Sequence, residues 1–209
     1  MFVKFCGFTR QHDLEYAANL GIQGAGFIFY PKSKRCISPE KAADLARVVQ
    51  GTGIMKTGVF VDTKPDDILR VMEKAQLDCA QVYNEEVASL LSPRCTVILA
   101  HRIRLKSDIP HHMPEGIHYL LLDTWSDTSM GGTGTAFDWT MLKGQTIPPR
   151  TIIAGGIHPE SIGPLLEKFV PYGIDMSSGI EEQPGIKSKK KMKRLMTIVK
   201  EATNVYHAG

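Results

Sequence analysis

The sequence predicts a single-domain (β/α)8 barrel covering residues 1–209. Eight short runs rich in branched and aromatic residues are each typical of a strand, and several are apolar throughout, as expected for parallel strands covered on both faces. Segments of helical periodicity lie between most of these runs. Strands that alternate with helices from end to end imply parallel strands joined by right-handed crossovers.

The predicted elements follow from local signals. Strands are expected at residues 3–6, 24–29, 56–61, 79–82, 96–102, 118–123, 151–154 and 173–176, and helices at 10–20, 39–49, 65–75, 85–91, 137–142, 159–168 and 189–202. Ser38 followed by Pro39 is a helix start, because the hydroxyl can cap the helix and proline needs no hydrogen bond there. Residues 105–116 contain Pro110, Pro114 and Gly116, so we expect the helix after strand five to be short or absent.

An open, doubly wound sheet is the rival architecture. It would usually show several glycines after the first strand, but residues 6–10 contain only Gly7. The chain also lacks the phosphate-binding motif of P-loop proteins. A closed barrel is therefore favoured, although 209 residues is near the lower limit for it.

Composition and charge narrow the function classes. The net charge is +3, and six cations lie within residues 187–194, in a run without interleaved aromatics. That run predicts a solvated helix face and not a nucleic-acid site. No apolar run has bilayer length and no signal peptide is visible, so we expect a cytoplasmic protein without membrane partners. The four cysteines lack metal-site spacing, so reduced thiols and no metal are expected.

Functional groups of a barrel lie at the carboxyl ends of its strands. The candidates there are Cys6, Arg35, Gln81, Asp123, the glycine-rich loop 131–134, Gly155, Gly156, Ser177 and Ser178. Small residues directly after strands seven and eight let backbone N–H groups approach a dianion. Gly155, Gly156, Ser177 and Ser178 therefore predict a phosphate site, whereas the alternative for the glycines is a plain tight turn.

Three of these candidates, Cys6, Asp123 and Arg35, carry ionisable or charged groups. Cys6 and Asp123 end predicted strands one and six and could act as base and acid. The pKa of the Cys6 thiol must then fall or be matched by a bound proton donor, and the pKa of the Asp123 carboxyl must rise. A buried structural cysteine is the alternative for Cys6. Arg35 lies in a loop with three cations and no compensating acid, where it could bind a carboxylate or simply be solvated.

Several motifs together resemble the phosphoribosylanthranilate isomerase family. They are VKFCGFT at 3–9, GFIFYPKSKR at 26–35, GVFV at 58–61, GGTG at 131–134 with FDW at 137–139, and DMSSG at 175–179. Their joint order and spacing carry the resemblance across almost the whole chain.

The resemblance implies an enzyme of tryptophan biosynthesis that rearranges N-(5-phosphoribosyl)anthranilate without metal or organic cofactor. It implies that Asp123 is the general acid and Cys6 the general base. Substrate-binding residues would be Arg35, Gln81, Gly132, Gly134 and Asp175, with Gly155, Gly156, Ser177 and Ser178 at the phosphate. We expect a small-molecule phosphosugar substrate and a monomer or homodimer.

The chain departs from the family pattern at Tyr83 and Asn84, where His-Gly is common, at Thr135, where a basic residue is common, and at His158, where Asn is usual. These changes leave three alternatives open. One is the histidine-pathway isomerase, which resembles this chain but has aspartate in place of Cys6. The others are a dual-substrate isomerase and a phosphosugar-binding barrel without activity.

Overall fold

The computed structural model is a closed barrel of eight parallel strands arranged in chain order, with β1 paired to β8. It describes residues 1–124, 142, 144–168 and 170–207. The barrel strands are β1 (Phe2–Cys6), β2 (Gly24–Ile28), β3 (Met55–Val59), β4 (Cys79–Val82), β5 (Thr96–Ile103), β6 (Tyr119–Thr124), β7 (Thr151–Ile153) and β8 (Gly173–Met176). The predicted fold class is therefore confirmed.

Helices cover the outside of the barrel. In the described part of the chain they are α1 (Gln11–Leu20), α2 (Pro39–Val48), α3 (Pro65–Ala75), α4 (Glu85–Leu91), α5 (Ile162–Lys168) and α6 (Lys189–His207). The Ser38 hydroxyl caps α2 by accepting a hydrogen bond from the Lys41 N–H, as the Ser-Pro signal predicts.

Four elements, β4, β8, α3 and α4, have the predicted bounds, and the others differ mainly at their ends. The predicted helix at 159–168 begins only at Ile162, and that at 189–202 continues to His207. A single 3₁₀ turn, Lys106–Asp108, follows β5, which confirms the expectation of a short or absent helix. Residues 137–141 of the predicted helix at 137–142 lie outside the described residues.

A small hairpin between β8 and α6 is absent from the sequence-based prediction. It consists of β9 (Glu181–Gln183) and β10 (Ile186–Lys187), paired antiparallel. Gly185 forms its turn with φ 83°, in the left-handed region that glycine tolerates. The hairpin places Glu181 and Lys187 near each other beside the end of β1.

The strands separate two apolar layers. Outward-facing residues such as Val3 and Phe5 pack against the helices, whereas Ile98, Leu121 and Ile152 fill the barrel interior. Side chains alternate along a strand, so Lys4 and Cys6 of β1 face inward. Among the described residues, no helix is long and apolar enough to cross a membrane.

Candidate active site

A pocket opens at the carboxyl end of the barrel and measures roughly 770 Å³ out to its open mouth. Nine of the predicted site residues line it, and they come from six strands or the loops after them: Cys6, Arg35, Gln81, Asp123, Gly155, Gly156, Asp175, Ser177 and Ser178. The other two candidates, Gly132 and Gly134, lie outside the described residues.

Cys6 ends β1, and its side chain is almost fully buried at the pocket floor. The neighbouring strand β2 leaves space for the Cys6 thiol at Gly26. A Cβ atom at Gly26 would lie 2.6 Å from the Cys6 Sγ, so only glycine leaves room for the thiol there. This close approach fixes the sulfur against the wall of the barrel.

Directly beneath Cys6, the barrel interior holds an ionic cluster. The fully buried Lys4 Nζ lies 2.9 Å from Asp175 Oδ2 and donates to Gln81 Oε1 at 3.0 Å across the lumen. Burial would lower the pKa of Lys4, but the charge of Asp175 and other partners outweigh burial and raise it. Lys4 is therefore a charged ammonium held two residues from the thiol.

Burial and the neighbouring cations shift the pKa of the Cys6 thiol in opposite directions. Burial raises the pKa of Cys6, while the charges of Lys4 and Lys187 and a hydrogen bond with Lys4 lower it. Burial wins, so the thiol is protonated more strongly than a free cysteine. A thiolate formed there would be a correspondingly stronger base.

Arg35 is 9% exposed, and its partner corrects the expectation of a loop without a compensating acid. Glu181 of the hairpin accepts from Arg35 Nη2 at 2.6 Å and from Arg35 Nε at 2.9 and 3.1 Å. Burial would raise the pKa of Glu181, but hydrogen bonds and charges from Arg35 and Lys187 outweigh it and lower that pKa. Arg35 lines the pocket on the side of the loop after β2, and Glu181 binds its guanidinium.

Lys187 also differs from the prediction, which placed it in a solvated cationic face. It is 2% exposed, and its Nζ donates to Glu181 Oε1 at 2.8 Å, to the Cys6 carbonyl at 2.5 Å and to the Ser177 carbonyl at 3.2 Å. The physical reason is that the hairpin turns Lys187 inward, where a carboxylate and two carbonyls replace its hydration.

The loops after β7 and β8 meet in the pocket. Gly155 and Gly156 have φ 89° and 63°, a backbone conformation that L side chains rarely adopt. A Cβ atom at Gly179 would lie 1.9 Å from the Ile157 carbonyl oxygen, so the two loops are in close contact. The buried Ser177 Oγ has no hydrogen-bond partner among the described residues and lines the pocket, where a ligand oxygen could supply one.

Asp123 is the penultimate residue of β6 and lies on the pocket wall opposite β1 and β2. Tyr83 lines the same wall. Burial and the negative charge of Asp123 raise the pKa of Tyr83, so its phenol is neutral. The Arg102 guanidinium lies 4.9 Å from the Tyr83 ring centroid, in a cation–π contact that fixes the phenol.

Three charged residues of this site escaped prediction: Lys4, Glu181 and Lys187. A signal existed for Lys4, because a lysine in a buried strand at the same-face position before Cys6 needs a buried partner. For Glu181 and Lys187 the only local signal is the turn dipeptide Pro184-Gly185 between them, which does not show that the flanking residues pair or face inward.

Fold and pocket together define a class: a barrel enzyme with a thiol, a carboxyl group and an anion-binding edge around one small-molecule site. A profile of the family N-(5'phosphoribosyl)anthranilate (PRA) isomerase matches residues 3–197. The chain belongs to this family.

Individual relatives agree with the profile. The chain is 36% identical over 204 residues to N-(5'-phosphoribosyl)anthranilate isomerase of Rubrobacter xylanophilus, covering 95% of this chain and 98% of the relative. It is similar to the crystal structure of phosphoribosyl anthranilate isomerase from Thermotoga maritima, with TM-score 0.86, 30% identity, and coverage of 96% and 99%. A further similar structure, at TM-score 0.81, 28% identity and the same coverage, is a phosphoribosyl anthranilate isomerase in complex with reduced 1-(o-carboxyphenylamino)-1-deoxyribulose 5-phosphate.

Proposed function

We propose that this protein converts N-(5-phosphoribosyl)anthranilate into 1-(2-carboxyphenylamino)-1-deoxyribulose 5-phosphate, an Amadori rearrangement of tryptophan biosynthesis. Membership of the isomerase family supports this proposal. The observation that carries it is one pocket that contains Cys6, Asp123 and the small-residue loops after β7 and β8. The same pocket therefore offers an acid, a base and an anion site within reach of one sugar phosphate.

The reaction needs one proton given and one removed. In the proposed mechanism, Asp123 protonates the furanose ring oxygen, the C1′–O bond breaks, and an iminium forms with the anthranilate nitrogen. The Cys6 thiolate then removes the C2′ proton, which leaves an enolamine. The enolamine tautomerises to the ketone, so the overall change is an isomerisation without external oxidant or reductant.

Binding groups surround these two residues. The backbone N–H groups of Gly155 and Gly156 with the hydroxyls of Ser177 and Ser178 would hold the phosphate. Glycine conformation, the close contact of the two loops and the unpartnered Ser177 Oγ support this assignment. Phosphate is the part of the substrate with the highest charge, so this edge anchors it.

Asp175, Gln81 and Arg35 are assigned to the rest of the substrate. Asp175 Oδ1 is buried without a hydrogen-bond partner in the described part of the chain and would accept from a sugar hydroxyl. Gln81, whose Oε1 accepts from Lys4, lines the pocket and would contact the same sugar. Arg35 would bind the anthranilate carboxylate. Gly132 and Gly134 remain predicted contacts.

An anthranilate fluorescence assay with the purified protein tests the proposal. The unmodified protein is expected to turn over N-(5-phosphoribosyl)anthranilate, and the Cys6→Ser and Asp123→Asn variants are expected to bind it with little turnover. Binding without turnover by the unmodified protein would instead support a phosphosugar-binding barrel. Turnover of the histidine-pathway ribonucleotide would support a dual-substrate isomerase.

The proposal includes a cytoplasmic protein that works as a monomer or homodimer. Light scattering coupled to size-exclusion chromatography would distinguish those two states, and fractionation of the source cells would locate the protein.

A further inference from the structure

Glu181 lies between two buried cations at the edge of the pocket. Its carboxylate is 4% exposed and accepts from the Arg35 guanidinium on one side and from the Lys187 ammonium on the other. The Gly185 N–H donates to the same Oε1 at 3.2 Å. Two cations share one anion, so Arg35, Glu181 and Lys187 together carry one net positive charge.

The guanidinium of Arg35 has two usable edges. Glu181 takes the edge formed by Nε and Nη2, which leaves the edge formed by Nη1 and the second Nη2 proton for a ligand. Arg35 also lines the pocket. That remaining edge matches a carboxylate, which binds guanidinium in a bidentate fashion.

The orientation of Arg35 is held from two directions. A Cβ atom at Gly7 would lie 2.6 Å from the Arg35 Cδ, so the stem of the side chain passes tightly over the loop after β1. The head of the side chain is bound by Glu181. An arginine without such contacts loses rotamer freedom when it binds a ligand, and these contacts have removed that freedom in advance.

Lys187 connects this arrangement to the rest of the site. Its Nζ contacts the carbonyls of Cys6 and Ser177 as well as Glu181. The carboxylate that orients Arg35 is thereby held in a fixed position relative to the end of β1 and the loop after β8. A shift of Glu181 would move Arg35 relative to both.

We propose that Glu181 is a positioning residue that sets the specificity of the pocket for an aryl carboxylate, because it presents the outer edge of Arg35 to that group. The inference rests on the proposed function, since it takes the anthranilate ring as the bearer of the carboxylate. It concerns binding of this one group and leaves the proton-transfer steps to Cys6 and Asp123.

The test compares two substrates, N-(5-phosphoribosyl)anthranilate and N-(5-phosphoribosyl)aniline, which lacks the carboxylate. The measured quantity is the ratio of their kcat/KM values. We expect the unmodified protein to prefer the carboxylate substrate about 10- to 100-fold, the value of a charge-assisted hydrogen-bond pair. In Glu181→Gln that preference should fall about 10-fold, mainly through a higher KM for the carboxylate substrate.

Glu182→Gln is the matched control, because Glu182 is the exposed neighbour on the same hairpin. It should keep the preference of the unmodified protein. A second comparison uses Arg35→Gln and the double variant Arg35→Gln/Glu181→Gln. If Glu181 acts through Arg35, the double variant should have the same ratio as Arg35→Gln alone.

The inference is overturned if Glu181→Gln keeps the full preference, or if the losses in the double variant simply add. Should Glu181→Gln fail to fold by circular dichroism, Glu181→Asp replaces it. That variant keeps the charge with a shorter reach and is expected to show an intermediate preference, whereas an unchanged preference would overturn the inference. An unmodified protein that is inactive on both substrates contradicts the proposed function itself, which is a separate outcome.

Discussion

The two ends of the barrel interior are built from the same strands but have opposite character. At the amino end, Phe2 and Tyr119 stack with their ring centroids 6.3 Å apart, and Tyr172 lies 6.1 Å from Phe2. At the carboxyl end, the inward positions of β1 and β6 carry Cys6 and Asp123. A step of four positions, from Phe2 to Cys6 in β1 and from Tyr119 to Asp123 in β6, therefore leads from an aromatic cluster to ionisable groups in an open pocket.

A buried ionic layer lies between these two ends. Lys4 and Asp175 are partners in the register of β1 and β8, and the bond from Lys4 to Gln81 spans the lumen. Every second residue of β1 faces inward, so Phe2, Lys4 and Cys6 represent the three layers in order. The comparison indicates that the amino end contributes aromatic packing, the ionic layer around Lys4 contributes buried charge pairing, and the carboxyl end carries the chemistry.

The largest effect is expected at the carboxyl end. Cys6→Ser and Asp123→Asn should each lower kcat/KM by about 10²- to 10⁴-fold, because each removes one proton-transfer group of the proposed mechanism. The anthranilate assay measures this loss, and thermal unfolding serves as the control. The division of roles between the ends is wrong if either variant loses its activity only because the barrel unfolds.

Lys4→Met should affect stability more than any substitution on the surface. It leaves the Asp175 carboxylate buried without its cation, which costs about 3–5 kcal/mol of unfolding free energy. Denaturant titration measures the loss. Lys74→Met is the control, because Lys74 pairs with Glu40 on the exposed surface and such pairs contribute about 0–1 kcal/mol. Equal losses in the two variants would contradict a structural role for the buried layer.

The sequence predicts the fold and most of the pocket because both depend on local information. Apolar runs define the strands, and parallel topology then brings the residues at strand ends, such as Cys6 and Asp175, to one edge. The pairing of Arg35 with Glu181 could not be predicted, because 146 residues separate them. Lys187 lies in a cationic run that is otherwise typical of solvent, and only its tertiary partners distinguish it.

At the amino end, Tyr119→Ala should lower stability and spare catalysis. Removal of the ring opens the stack with Phe2 and Tyr172 and should cost about 2–3 kcal/mol. Tyr119→Phe is the matched control, since it keeps the stacked ring and removes only the hydroxyl. Denaturant titration and kcat/KM are measured on both variants. A large fall in kcat/KM of folded Tyr119→Ala would show that the two ends are coupled.

The smallest effect concerns the pH dependence of stability at the pocket edge. Glu181 has a folded pKa below its ordinary value, because the hydrogen bonds and charges of Arg35 and Lys187 outweigh its burial. Its ionisation therefore stabilises the fold above the ordinary glutamate pKa of about 4.3, and this contribution is lost as pH falls through the folded pKa.

Glu181→Gln should accordingly be about 1–2 kcal/mol less stable than the unmodified protein near pH 7, because glutamine keeps one of the two acceptor oxygens but loses the other and the charge. The difference should shrink as the pH falls below about 4.3. Urea titrations across that range measure it, with the exposed Glu182→Gln as the control. A difference that stays constant with pH would mean that the charge of Glu181 does not hold the hairpin against Arg35 and Lys187, and the ionic edge of the pocket would then depend on packing alone.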